Sequence, residues 1–320
     1  HLSGGSFVDT YGGGIACVGG AAMILGNTVT NNSATGATAG SGGGIACIGT
    51  TASVVSNVVA HNSTRRSQGI GVARTFGGGG IYASGKARII NNTVIFNQTT
   101  GFKPLHAARG GGILGATNVT IANCIVRNNR ADIGPEIDGV SATSHCNVRG
   151  GYPGTGNIGA DPLMMDAGRG DFHLRYDSPC RDKGSASIGG LPSTDFDGGA
   201  RTWGSAPDIG ADEFSRFVYA TGAATPGGAV HIKILGGAAE FAYLGVSGHP
   251  LLMQPPASIP GVGLFYLAAP LSVAPAGTIG NNGVILLGVA LPKTLPVPRD
   301  VPLQALVGGK LTDPFIVRIR

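Results

Sequence analysis

The sequence predicts an all-β protein, with a parallel β-helix over its first two thirds and a small β-sandwich at its end. Three observations lead there. Glycine makes up 57 of the 320 residues, far above the ordinary level of about 7%, and without the three-residue period of collagen. Helix formers such as Glu, Gln and Lys are scarce, while Val, Ile, Thr and Asn fill short runs between glycines. One motif also recurs at coil-like intervals. Hydrophobic residues are 42% and charged residues 12% of the chain, which is the content of a folded core rather than of a disordered segment.

The recurring motif is Gly12-Gly13-Gly14-Ile15, repeated as Gly42-Gly43-Gly44-Ile45, Gly78-Gly79-Gly80-Ile81 and Gly110-Gly111-Gly112-Ile113. A second motif keeps step with it, a six-residue unit with asparagine at both ends: Asn27 to Asn32, Asn57 to Asn62, Asn92 to Asn97, Asn123 to Asn128. This spacing reads as a stack of coils, each made of short strands joined by tight turns. Glycine allows the positive φ that a sharp turn requires. Asparagine tolerates the same backbone and can hydrogen-bond its counterpart one coil away. The expected ladders are therefore Asn27, Asn57, Asn92 and Asn123 in one column, and Asn32, Asn62, Asn97 and Asn128 in another. Longer intervals place insertions at 63–76 and 99–109. Sequons at Asn31, Asn62, Asn91, Asn97 and Asn118 are what an Asn/Thr-rich ladder produces by chance.

No uninterrupted apolar stretch of about 18 residues is present, so no membrane span is expected. The five cysteines form no CxxC pair, which argues against a zinc finger. Cys17 and Cys47 fall at equivalent places in successive coils and would stack as buried thiols or as a bridge.

Beyond Asn128 the repeat fades into a series of blocks: Gly156-Asn157-Ile158-Gly159-Ala160-Asp161-Pro162, Asp171-Phe172-His173-Leu174, Asp177-Ser178-Pro179-Cys180 and Pro207-Asp208-Ile209-Gly210-Ala211-Asp212-Glu213-Phe214. In that order they resemble the terminal portion of bacterial surface β-helix proteins of the choice-of-anchor Q type, in the pectin-lyase-like superfamily. The resemblance covers residues 1–214. It implies an exported, right-handed β-helix at the cell surface, its signal peptide removed, and it attaches no single activity. Within the segment, Asp195 and Asp197 are the one candidate calcium pair. Two carboxylates fall short of the six to eight oxygens calcium takes, so a hydrogen-bonded turn is the preferred role, and no other cofactor is expected. Asp208, Asp212 and Glu213 are expected to meet Arg201 at the helix end. Cys146 and Cys180 are the candidate disulfide for that closure.

From Phe217 onward, runs such as Val230–Ile234, Phe241–Val246, Leu264–Leu267, Val284–Leu287 and Phe315–Ile319 alternate with Gly/Pro turns, the pattern of a sandwich. Residues 304–314 resemble the small C-terminal β-domains of secreted bacterial surface proteins. Tyr243 is expected in the core. The chain thus divides into a β-helix at 1–214, with an irregular closing segment from about 132, and a sandwich at 215–320.

Charge narrows the function classes. Residues 1–131 hold one acid, Asp9, against nine bases, whereas 132–216 hold thirteen acids and seven bases. Glycoside hydrolysis needs two carboxylates across the scissile bond, and calcium-dependent lyase chemistry needs an acidic cluster. The coil stack offers neither. A lyase working through cations and imidazole would draw on His61, Lys86, Arg88, His106 and Arg109. Arg65, Arg66, Arg74, Lys86, Arg88, Lys103 and Arg109 form a candidate basic patch for acidic polysaccharide. Aromatic residues do not interleave with them, so nucleic acid is not expected. The expected function is a non-catalytic extracellular structural or adhesive protein. It would self-associate, or join neighbouring surface proteins, through the exposed ends of its β-helix, as a filament or surface-layer subunit does. The alternative is a lyase or binding module for acidic polysaccharide.

Overall fold

From Ile15 to Val148 the chain winds through parallel sheets, each receiving one short strand per coil. The computed structural model describes residues 2–3, 9–36, 39–66, 76–101, 107–116 and 118–215, together with 218–222, 229–236, 241–247, 252–259, 263–267, 271–279, 284–290, 299–307, 310–312 and 315–319. Sheet 1 stacks Ile15–Val18, Ile45–Thr50, Ile81–Gly85, Ile113–Gly115 and Ile137–Asp138. Sheet 2 stacks Met23–Leu25, Ser53–Val55, Arg88–Ile90, Thr120–Ala122 and Ala142–Ser144. Sheet 3 stacks Thr28–Thr30, Val58–Ala60, Thr93–Ile95, Ile125–Arg127 and Asn147–Val148. Sheet 4 holds Leu2–Ser3, Ser33–Gly36, Ser63–Arg66 and Gln98–Thr100. The pairing is in register, so like side chains lie on like. Ile15, Ile45, Ile81, Ile113 and Ile137 form one column, and Val29, Val59, Val94, Val126 and Val148 another. Both columns point inward into one apolar core. Each fully buried isoleucine there contributes about 1.5–3 kcal/mol.

The triple glycines answer two separate demands. Gly78 sits at φ 65°, the left-handed turn. Gly79 and Gly80 are pressed between coils: a Cβ on Gly79 would lie 2.4 Å from the Gln98 carbonyl oxygen, and one on Gly80 would lie 2.8 Å from that of Gly112. No side chain fits there.

The corners between sheets need two residues in sequence, one in the left-handed region and one with an inward polar side chain. Gly26, Ser56, Asn91, Asn123 and His145 take the first role between sheets 2 and 3; Asn31, His61, Phe96 and Asn128 take it between sheets 3 and 4. The next residue forms the ladder. Asn92 is typical. Its Oδ1 accepts from the Asn57 backbone N–H at 2.9 Å, and its Nδ2 donates to the carbonyls of Val54 and Ile90 at 2.8 and 2.9 Å. The columns therefore correct the sequence reading by one residue at the fourth coil. The first runs Asn27, Asn57, Asn92, Cys124, with Sγ of Cys124 accepting from the Asn92 N–H at 3.4 Å. The second runs Asn32, Asn62, Asn97, Asn129, and its last amide donates to buried Glu136 at 2.7 Å. Asn123 and Asn128 are the left-handed residues that precede these positions.

The coils also continue past Asn128, where the sequence repeat fades. Gly134 reproduces the left-handed glycine and Ile137 the core isoleucine, while Thr155 and Ile158 bridge to Ser144 and Asn147 as a last partial coil. The closing segment then folds back over the outer face of sheet 3, where Phe172 and Ala211 pack on Val58, Ala60 and Ile95. Asn123 holds it: Nδ2 donates to the Ser185 carbonyl at 3.0 Å and Oδ1 accepts from the Ser185 N–H at 2.8 Å. Asn91 does the same for the Asp208 carbonyl at 3.1 Å.

The C-terminal part forms a second compact unit, residues 175–177 and 214–320, apart from the β-helical unit at 1–174 and 178–213. Its strands are antiparallel. Val218–Gly222, Ala229–Leu235 and Val284–Ala290 make one sheet, and Leu271–Thr278, Phe241–Ser247 and Arg299–Val307 are the body of another. Ile232 and Ile234 of the first share a core with Ala242, Leu244, Leu303, Ala305 and Val307 of the second, which makes a β-sandwich. Tyr243 lies outside that core, 41% exposed, because it alternates with inward Ala242 and Leu244.

Asn92→Ala removes the partner of three buried backbone groups and should lower stability by about 3 kcal/mol. Asn27→Ala, at the exposed end of the same column, should cost under about 1 kcal/mol. Denaturant unfolding of the two variants compares them directly.

Candidate functional site

Among the described residues, the basic side chains singled out from sequence have different surroundings. Arg65 is exposed at the end of its sheet 4 strand, but the next residue, Arg66, points inward and is 1% exposed. Lys86 is exposed at the approach to sheet 2, on another side of the coil. Arg88 donates to the Gly189 carbonyl of the closing segment. Arg109 is paired with Asp138 at 2.5 Å, which raises its pKa. Arg74, Lys103 and His106 lie outside the described residues. Strand alternation sends the neighbours Arg65 and Arg66 to opposite faces of one strand.

Two other clusters stand out. The first is a groove of about 400 Å³ beside the corner between sheets 3 and 4. His61 and Phe96, successive left-handed corner residues, stack there with ring centroids 5.1 Å apart. Gln98, Arg130 and Arg149 complete its polar lining, and Arg149 donates to Asn128 Oδ1 at 3.2 Å. A phenylalanine at φ 58° is an uncommon backbone strain of the order of 1 kcal/mol. The sequence reading had His61 but not Phe96, Arg130 or Arg149. Their signal was their position: Phe96 is the corner residue one coil after His61, Arg130 lies two residues past the next corner, and Arg149 follows the last strand of sheet 3.

The second cluster is in the closing segment. His173 lies between two carboxylates, Nδ1 2.7 Å from Asp171 Oδ1 and Nε2 2.7 Å from Asp197 Oδ2. Burial works to lower its pKa, but these hydrogen bonds prevail and hold it well above the usual histidine value. Each ring nitrogen thus faces a carboxylate oxygen. Asp212 is 3% exposed, and its Oδ2 accepts from the Leu174 N–H at 2.7 Å. Desolvation pushes its pKa up to about 7, against the lowering effect of His173.

Asp195 and Asp197, the candidate calcium pair, take different partners. The Asp195 oxygens accept from the backbone N–H groups of Asp197, Gly199 and Glu213 at 3.1, 2.9 and 3.2 Å, a hydrogen-bonded turn, and only Asp197 reaches the histidine. Nearby, Arg201 and Glu213 form a buried pair at 3.0 Å, while Asp208 accepts from the Asp182 N–H at 2.6 Å.

All five cysteines are free thiols. Cys146 and Cys180 are not bridged: Cys146 Sγ sits in the ladder under the Cys124 N–H at 3.5 Å, and Cys180 Sγ accepts from Asn147 Nδ2 at 3.1 Å. Cys17 and Cys47 stack in register as thiols. Burial, then the neighbouring Cys17, pushes Cys47 up to about 12, and burial takes Cys180 to about 12 as well.

The fold and these clusters define a parallel β-helix protein joined to a β-sandwich. No family model matches the chain, and no curated protein is significantly similar to it.

The thiols give a test. Cys17 is half-buried and the other four are buried, so a thiol reagent should modify one cysteine quickly in native protein and all five after denaturation without reductant. A count of three on denaturation would show a bridge.

Proposed function

We propose that the chain is a non-catalytic structural or adhesive part of an extracellular bacterial surface protein, of the choice-of-anchor Q type that its closing blocks resemble. In this reading the β-helix joins a second copy through one end of its coil stack. What supports it is the set of apolar side chains exposed on the strands Ile15–Val18 and Met23–Leu25. Val18, Met23 and Leu25 are 76%, 66% and 45% exposed on these strands. Ile15 and Cys17 are half-buried, where their counterparts Ile45 and Cys47 are wholly covered. Apolar side chains exposed together on one surface favour association with another chain.

Sedimentation velocity over a concentration series, with electron microscopy of the same samples, tests this. End-joined particles should grow with concentration, and Val18→Asp with Met23→Lys should return them to single chains. Single chains at every concentration would overturn the reading.

A second reading, acidic-polysaccharide binding, is favoured by the His61–Phe96 groove, where a stacked aromatic pair lies beside Arg130 and Arg149. Arg130→Ala with Arg149→Ala should then weaken binding to polygalacturonate by at least about tenfold, or 1.4 kcal/mol, and added salt should weaken it further. A lyase would in addition release unsaturated product that absorbs in the ultraviolet.

A further inference from the structure

We propose that His173, Asp197 and Asp212 form a binding site for one divalent transition-metal ion of the zinc class, built into the closing segment of the β-helix. One ligand atom from each residue lies within 4.8 Å of the others. The donor set is one imidazole nitrogen and two carboxylate oxygens. Imidazole favours a borderline ion such as zinc over the all-oxygen shells of calcium and magnesium.

Three features of the surroundings fit a metal better than an ion-pair network alone. Asp171 lies 2.7 Å from Nδ1 of His173, so an Nδ1–H donated to Asp171 makes Nε2, which faces Asp197 Oδ2 at 2.7 Å, the ring atom on the metal side. This is the carboxylate–histidine–metal arrangement that fixes tautomer and ring orientation. Asp212 is the second feature. Its Oδ2 accepts from the Leu174 N–H, yet its buried Oδ1 has no hydrogen-bond donor. A buried carboxylate oxygen without a donor lacks the electropositive partner such atoms nearly always have. A divalent ion held by Asp212 supplies that buried carboxylate with an electropositive partner. The third feature is access. Asp197 has a side chain 43% exposed, leaving a path for the ion and room for water to complete its shell. The loop carrying Asp197 is held by Asp195, which accepts its backbone N–H.

The site belongs to the β-helical unit alone and is independent of both functional readings above.

The test uses the full chain freed of metal by chelation, with zinc chloride as the probe. Equilibrium dialysis with metal analysis should find one ion per chain, and the thermal midpoint should rise with zinc in excess, as for any ligand that binds the folded state preferentially. Cobalt(II) in its place should show visible d–d absorption without a sulfur-to-metal charge-transfer band, which separates this site from the thiols. Asp197→Asn should weaken binding at least about tenfold, and so should Asp171→Asn by releasing the ring. Asp197 is the residue to change because it is partly exposed, so the variant keeps its fold; circular dichroism checks this. Failure of the native chain to take up one equivalent of zinc overturns the proposal. A thiolate band, or unchanged affinity in Asp197→Asn, overturns it equally.

Discussion

A chain that turns several corners per coil leaves backbone N–H and C=O groups at each corner facing inward, where water cannot reach them. The inward asparagines satisfy those groups, and the rest of the β-helix depends on that. Each amide accepts from the coil before it and donates to carbonyls of its own coil and its neighbour, so it serves as a second, internal ladder beside the sheets. Because an unpaired buried backbone group costs about 1–3 kcal/mol, the corners can be placed only where such a side chain is supplied. The strands between them are then three residues long, and the core columns fall into register. Cys124 and Cys146 show the rule's tolerance: a thiol accepts the same N–H at 3.4–3.5 Å.

The same corners explain how the closing segment attaches. A left-handed corner residue directs its side chain outward, and where it is asparagine it can hold a passing strand of backbone. Asn91 and Asn123 do this for residues 185–210. The charge asymmetry of the sequence has its counterpart here. Arg88 and Arg127 of the basic stack donate to carbonyls of Gly189, Gly159 and Ala160, and Arg109 pairs with Asp138. Arg88 and Arg109, two of the bases that a sequence reading assigns to a ligand surface, are engaged with the acidic segment, while Arg65 and Lys86 stay exposed.

Much of this was legible in the sequence because the repeat is local chemistry. The isoleucine column and the glycine turns follow from motif spacing alone. Phase at the fourth coil was not legible, because a corner wants asparagine for two reasons at adjacent positions. In Asn128-Asn129 the spacing cannot say which residue turns the backbone and which points inward. The coil at Gly134–Asp138 was hidden by Pro135 and Glu136, which replace the second and third glycines where the stack nears its end. The His61–Phe96 groove and the His173 cluster have no linear signature. Their members are 35 and up to 39 residues apart, and only coil stacking and the fold-back of the closing segment bring them together.

Both clusters lie where the repeat is interrupted, and this follows from the scaffold. Inside the stack the inward asparagines are matched to equivalent groups a coil away, so a site built there would break a ladder. Freedom to vary exists at the outward corner residues and in the segment that covers sheet 3. Phe96 uses the first freedom, since a strained corner is tolerated when both neighbouring coils fix it. Asp212 uses the second. Its buried, donorless oxygen is held in place by the Leu174 N–H and by the chain's own closure over the sheet. A coil stack made rigid by its internal hydrogen bonds can thus hold, in its covering segment, an electrostatic arrangement that a more pliable fold would relax away.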